Sequence, residues 1–172
     1  MLLFRGKRAT LQIWHDILRI PAHESVYDIE GSHHFFREDL DPKNSITNDD
    51  FIQFAMKRIQ KKIHIKFVSS SPSKKVSQFY ENNLMGYSDA LYIPQNSFPY
   101  PAEIGVYSNR AYLLLFENPV GVIIENKLIA DSLKVLIEKF FTHNAKRSDT
   151  NRIVVDGPLS KPDRINGTLH DV

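Results

Sequence analysis

Between Glu103 and Ile124 three apolar runs of strand length follow one another with only turn residues between them. The runs are Glu103 to Tyr107, Ala111 to Phe116 and Val120 to Ile124, separated by Ser108-Asn109 and Glu117-Asn118-Pro119. Turns this short return a strand alongside its predecessor, so the block reads as a meander. Ile129, Leu133, Val135, Leu136, Ile137, Phe140 and Phe141 then recur as a long amphipathic helix. A meander closed by such a helix needs a sheet to pack on, and the upstream sequence supplies one.

Upstream, strand and helix periods alternate. Leu2-Leu3-Phe4, closed by Gly6, is a candidate first strand. Leu11, Trp14, Ile17 and Leu18 predict a helix from Ala9 to Arg19, stopped by Pro21. Val26 to Glu30 alternates as a strand ending at Gly31. Asn48-Asp49-Asp50 marks a helix start, with Phe51, Ile52, Phe54, Ala55 and Ile59 on its apolar face. Ile63 to Val68 predicts a strand opening into the polar loop Ser69-Ser70-Ser71-Pro72-Ser73. A short helix from Lys74 to Asn83, a strand from Ala90 to Ile93 and a proline-rich loop complete the series. The order predicts an α/β fold, a layered mixed β-sheet flanked by helices.

The 172 residues suit one domain, and 42% hydrophobic with 24% charged residues is the balance of a globular chain. One α/β domain is expected over residues 1–142. Residues 143–172 are expected to form a flexible tail, with Ile153-Val154-Val155 as the one run in it able to dock as a strand. The absence of cysteine excludes disulfides, zinc–thiolate sites and thiol catalysis. A net charge of +2 gives no general basic excess for nucleic acid. No run approaches a membrane span and the N-terminus lacks a signal-peptide core, so a cytoplasmic location without membrane contact is expected.

The block Glu103-Ile-Gly-Val-Tyr-Ser-Asn-Arg-Ala-Tyr-Leu-Leu-Leu-Phe116, followed by Pro119-Val-Gly-Val-Ile-Ile-Glu-Asn-Lys-Leu-Ile-Ala130, resembles the end of a TrmB-type regulatory domain. In that family a strand of the type I-x-V-Y-G-D-K-V precedes P-V-G-I-I-I-E-N-K-x-I-A and a closing helix. Phe4-Arg5-Gly6-Lys7-Arg8 is similar to the family's entry into its sensor domain, and the resemblance spans roughly residues 2–142. It implies a non-catalytic phospholipase-D-like half that binds a small, sugar-like effector. It also implies that DNA is reached only through a helix-turn-helix reader domain, which this chain does not carry. A homodimer is expected from the closing helix, whose apolar residues from Ala130 to Phe141, the adjacent Phe140-Phe141 included, lie on more than one face.

Phospholipase-D enzymes need His-x-Lys-x4-Asp, with His as nucleophile and Lys on the phosphate. The one His-x-Lys here, His64-Ile65-Lys66, has Ser71 where the Asp should stand. It also lies outside the strand entering the last hairpin. No enzymatic activity is therefore expected. The alternatives are a hydrolase or nuclease with a degenerate motif, and an interaction module without a ligand.

A ligand site is predicted from Asp28, Glu30, His33, Lys66, Ser69 and Ser70. Asp28 and Glu30 share one face of a strand, and if that face is buried they need partners, for which Arg5, Lys66 or Arg37 are candidates. Ser69 and Ser70 stand where a strand meets a helix start, a place that favours anions and hydroxylated ligands. A solvated serine turn explains the same residues without a ligand. His33-His34 points in two directions and is a poor chelate, so neither metal nor cofactor is expected. The basic run Lys57, Arg58, Lys61, Lys62, Lys66 reads as a solvated helix face as readily as a nucleic-acid patch. Gly121 reads as a site of close backbone approach.

Overall fold

The computed structural model describes residues 1–31, 46–70, 86–116, 119–147 and 149–158. Their elements are β1 (Leu2–Arg5), α1 (Lys7–Ile17), β2 (Ser25–Gly31), α2 (Asn48–Gln60), β3 (His64–Ser70), β4 (Ser88–Ile93), β5 (Ala102–Tyr107), β6 (Arg110–Leu115), β7 (Val120–Glu125), α3 (Lys127–Asn144) and β8 (Asn151–Val155). A short 3-10 turn spans Gln95–Ser97. The expected helix from Lys74 to Asn83 lies outside the described residues.

One eight-stranded sheet runs in the order β1-β7-β6-β5-β2-β3-β4-β8. β2, β3 and β4 are parallel, and every other neighbour is antiparallel. The architecture is the expected layered α/β class with a mixed sheet. The meander forms β5-β6-β7 in consecutive register, as its short turns require. β8 comes from the segment expected as tail, where Ile153 pairs with Ala90 across the sheet edge. The sheet therefore extends past residue 142, through the run singled out as able to dock.

Helices cover both faces. On one, Ala9, Ile13, Trp14 and Ile17 of α1 and Phe54 of α2 pack with Val26, Tyr107, Tyr112, Leu114 and Ile123. Trp14 stacks on Phe54 at 4.8 Å and joins the two helices as a core anchor. Gly121 lets α1 approach closely, since a Cβ there would stand 2.8 Å from the Ile13 Cδ1 methyl, which would have to shift, and 3.3 Å from the Ala9 carbonyl oxygen. On the other face, α3 lays Ala130, Ile137 and Phe141 on the sheet, with Ile137 against Val106 and Ala111 and Phe141 against Val68 and Leu91.

Local signals set the helix ends. α1 begins after Gly6, whose φ of 67° suits a residue without Cβ. α2 starts at Asn48, where Asn48-Asp49-Asp50 marks it, and its N-cap is Thr47. Thr47 accepts from the Asp50 N–H while Asp50 accepts from the Thr47 N–H, a capping box built with Asp. The Asn126 side chain caps α3 through the Ile129 N–H at 3.1 Å.

Candidate functional site: a buried carboxyl cluster

Strand register decides which polar side chains can meet. β2 and β3 pair Asp28 with Phe67, Glu30 with Ser69 and Tyr27 with Lys66. Paired residues project to the same side of a sheet, and successive residues alternate. Asp28, Glu30 and Ser69 therefore share the α1/α2 face, whereas Lys66 and Ser70 lie on the α3 face.

The predicted site is thus split. Lys66 sits 3.7 Å from Asp89 and 4.5 Å from the Phe141 ring centre, and cannot serve the carboxyls of β2. The Ser70 hydroxyl donates to the Phe98 carbonyl at 2.9 Å. The reading of Ser69 and Ser70 as a loop is corrected. Both are the last residues of β3 and both are buried, because strand pairing with β2 and β4 continues to Ser70. His33 and Arg37 lie outside the described residues. Arg5 is exposed on edge strand β1, four strands away from β2.

What Asp28 and Glu30 meet instead comes from β5, β6 and α2. β5 pairs Gly105 with Asp28 and Glu103 with Glu30, and β6 pairs Tyr112 with Gly105. The Tyr112 ring lies over Gly105, where a Cβ would stand 2.5 Å from ring carbons and the hydroxyl. This glycine leaves the slot through which the phenol reaches the carboxyls. The Tyr112 hydroxyl lies 2.5 Å from Glu103 Oε1 and 3.4 Å from Asp28 Oδ2. A phenol has one proton to give, so a short contact to one carboxyl leaves the other to supply its own.

Asp28 is 2% exposed and Glu103 6%, while Glu30 is half-buried at the end of its strand. Desolvation is the main cause of their altered proton affinity, and mutual repulsion adds to it. Burial, with Glu103 and Glu30 nearby, holds Asp28 well above the carboxylate range. Burial and Glu103 push Glu30 up to about 8, against a bond from Ser69 that favours its charged form. Burial raises Glu103 to about 7, opposed by the Tyr112 hydrogen bond. Burial, then the charges of Glu103 and Asp28, pushes the Tyr112 phenol up, so it stays a donor. These shifts are linked, and the protons belong to the cluster as a whole.

The nearby cation is Arg58 on α2, 3% exposed. It donates to the carbonyls of Ile63 (2.8 Å) and Tyr87 (3.1 Å) and to the Ser88 hydroxyl (3.1 Å). Burial lowers its pKa to about 10 despite the Asp28 charge, which leaves it cationic at neutral pH. Arg58 thus leaves the basic run, of which Lys57, Lys61 and Lys62 are exposed on α2 and its C-terminal end, while Lys66 faces α3. A second polar network anchors α1, where Asp16 accepts from the Tyr107 hydroxyl and from Arg110, both at 2.6 Å.

His64 stands at the first position of β3, its ring edge-on to Tyr87 at 5.2 Å. It shares the α3 face with Lys66, opposite the carboxyls. Among the described residues no group of three or more His, Asp or Glu is arranged to hold a metal. No described helix is long and apolar enough to cross a membrane. Three surface clefts lie elsewhere. One of about 310 Å³ runs between Glu24, Tyr27, Ser108 and Lys134, and others lie along α3 and beside Ala22 and Lys62.

Sequence reasoning missed Glu103, Tyr112 and Arg58. Glu103 had a signal, as the one charged residue in an apolar strand with a glycine two positions on. Tyr112 and Arg58 had none, since the register of β5 and β6 and the α2 packing place them.

No protein-family model matches the chain, and no curated protein matches it. Among solved structures it is similar to TrmBL2, an archaeal chromatin protein whose structure shows a novel mode of DNA binding. The TM-score is 0.51 and the identity 13%, over 83% of this chain and 52% of that one. The chain therefore spans about half the length of this structural relative, and the likeness is one of fold.

Proposed function

We propose that this chain is the non-catalytic, effector-sensing domain of a TrmB-like regulator, built on a phospholipase-D-like half. Its site is the cluster of Asp28, Glu30, Ser69, Glu103 and Tyr112, and its effector is a neutral polyhydroxylated molecule of the sugar kind. The observation that carries this reading is the convergence of three raised carboxyls and a phenol where β2 and β3 end and β5 begins. Ligands of open α/β sheets gather beyond the carboxyl ends of parallel strands. Carboxyls that keep their protons near neutrality both donate and accept, which matches hydroxyl groups better than it matches phosphate. Glu30, half-buried at the strand end, is the member from which a ligand would enter.

Catalysis is not part of the reading. The one His-x-Lys faces α3, away from the carboxyls. DNA recognition is assigned to a separate reader domain, in keeping with the near-balanced charge and the dispersed basic residues. The fold likeness to TrmBL2 supports the regulator class.

The test is a thermal-shift screen of neutral sugars, polyols and sugar phosphates. A ligand that binds only the native state raises the melting point. A neutral sugar should do so in the wild type and fail in a Glu30→Gln/Glu103→Gln double variant. No shift with any neutral polyol would overturn the site. Phosphodiester cleavage by the wild type, lost in His64→Ala, would replace the sensor with a hydrolase.

A further inference from the structure

Thr10 lies in α1 with no exposed surface, and its hydroxyl has no hydrogen-bond partner among the described residues. A helical threonine commonly turns its hydroxyl back to the carbonyl one turn earlier. For Thr10 that is the carbonyl of Gly6, which accepts from the Ala9 N–H at 2.8 Å, and the Thr10 hydroxyl does not join it. Burying a hydroxyl without a partner costs free energy, and valine would fill the same shape without that cost.

The neighbours of Thr10 show where its hydroxyl looks. Lys7 stands three residues before it and Trp14 four after it, so all three share one side of α1. Lys7 pairs with Asp50 of α2 at 2.7 Å, and Trp14 packs on Phe51 and Phe54 of α2. That side therefore faces the groove between the two helices. Its level above the sheet's strands is set by Ala9, which lies against Gly121. Strand register carries Gly121 across to Leu114, Glu103, Glu30 and Ser69 in one row on this face. Leu114 is fully buried, and the first polar groups along the row from α1 are the carboxyls of Glu103 and Glu30. Thr10 thus looks from the helix layer towards the carboxyl pair that the strands supply.

We infer that Thr10 is a specificity-determining contact of the effector site, its hydroxyl meeting one hydroxyl group of the polyol that Glu30 and Glu103 hold from the strand side. A threonine hydroxyl both donates and accepts, so it suits an alcohol in either orientation. A ligand lacking that hydroxyl would leave Thr10 without its partner, which is how the contact discriminates. The inference rests on the sensing reading and adds to it a residue from α1, an element that reading does not use.

The test is titration calorimetry of the wild type, Thr10→Val, Thr10→Ser and Glu30→Gln/Glu103→Gln with glucose, galactose, mannitol, myo-inositol and glycerol. The compound that binds the wild type most tightly should lose about tenfold in affinity in Thr10→Val and stay within about threefold in Thr10→Ser. Among its monodeoxy forms, one should bind the wild type and Thr10→Val alike, because it lacks the hydroxyl that Thr10 meets. Without ligand, Thr10→Val should melt at or above the wild-type temperature. Binding unchanged in Thr10→Val but lost in the double variant would overturn the contact and leave the sensing reading intact. So would a Thr10→Val protein that melts several degrees below the wild type, which would show that the hydroxyl serves the fold. No binding of any of these compounds to the wild type would overturn the sensing reading itself and this contact with it.

Discussion

On its α1/α2 face the sheet buries Asp28, Glu103 and Ser69, while on its α3 face it leaves Leu3, Leu113 and Leu115 in water. Both are departures from the common pattern, and they run in opposite directions. Burying carboxyls costs free energy unless neighbours satisfy them, here Tyr112, Ser69 and the field of Arg58. Exposing leucines leaves free energy uncollected until something covers them. A sheet selected for stability alone would show neither. On the function proposed above, the polar groups of the first face are those a small hydroxylated molecule would contact, while the leucines of the second face stay exposed.

The sharpest way to break the contrast is to remove Arg58. Arg58→Leu removes the guanidinium from the Ile63 carbonyl and the Ser88 hydroxyl, leaves the Tyr87 carbonyl with the Ile65 N–H, and deprives Asp28 of its nearby cation. A loss of about 3–5 kcal/mol in urea unfolding is expected. A loss under about 1 kcal/mol would show that water replaces the guanidinium without penalty and that the cluster is not dry.

Next comes pH. The folded values of about 8 for Glu30 and about 7 for Glu103 lie above that of an ordinary glutamate, so the folded state binds more protons than the unfolded chain across that interval. Their contribution is fully present below the unfolded pKa, about 4.3, and is lost as pH rises through the folded values. Stability should fall between about pH 5 and 8 by an amount on the order of 2 kcal/mol. The Glu30→Gln/Glu103→Gln variant should flatten that slope. A wild-type profile that is flat over the interval would mean the carboxyls are solvated.

Gly105→Ala is expected to cost about 1–3 kcal/mol, because the added methyl displaces the Tyr112 ring from its slot. Its more telling readout is the pH profile, whose midpoint should move once the phenol no longer reaches Glu103. The smallest effect is expected at Lys66. Lys66→Ala removes a partly exposed pair with Asp89, worth about 0–1 kcal/mol. It should leave both the pH profile and any effector-induced melting shift unchanged. A lost effector response in that variant would contradict the division of the two faces.

Much of the fold could be read from the chain because its signals are local. The turns between β5, β6 and β7 are two to four residues long and return each strand beside its predecessor. The helical spacing of Trp14 and Ile17 names the buried face of α1, whereas of the apolar set in α3 Ile137 and Phe141 are buried and Ile129, Val135 and Leu136 are exposed. Boundaries slipped where tertiary pairing outweighed local composition. Ser69 and Ser70 look like a turn, yet they close the ladder with β2 and β4, because pairing satisfies two backbones at once. Half the site was legible for the same reason: the spacing of two in Asp28-Ile29-Glu30 fixes their common face, and Ser69 lies opposite Glu30 only once β3 is aligned.

By itself, then, the sequence determined the alternation of elements, the meander, the closing helix and the pairing of Asp28 with Glu30 on one side of a strand. These follow from periods of 2 and 3.6 residues and from turn chemistry, all local to the backbone. Only the tertiary structure decided that Lys66 faces away, that Glu103, Tyr112 and Arg58 replace it, and that Leu113 stays partly exposed on the α3 face. Such neighbours are set by the register between strands far apart in the chain, and a one-residue slip in any ladder would have turned each side chain to the opposite face.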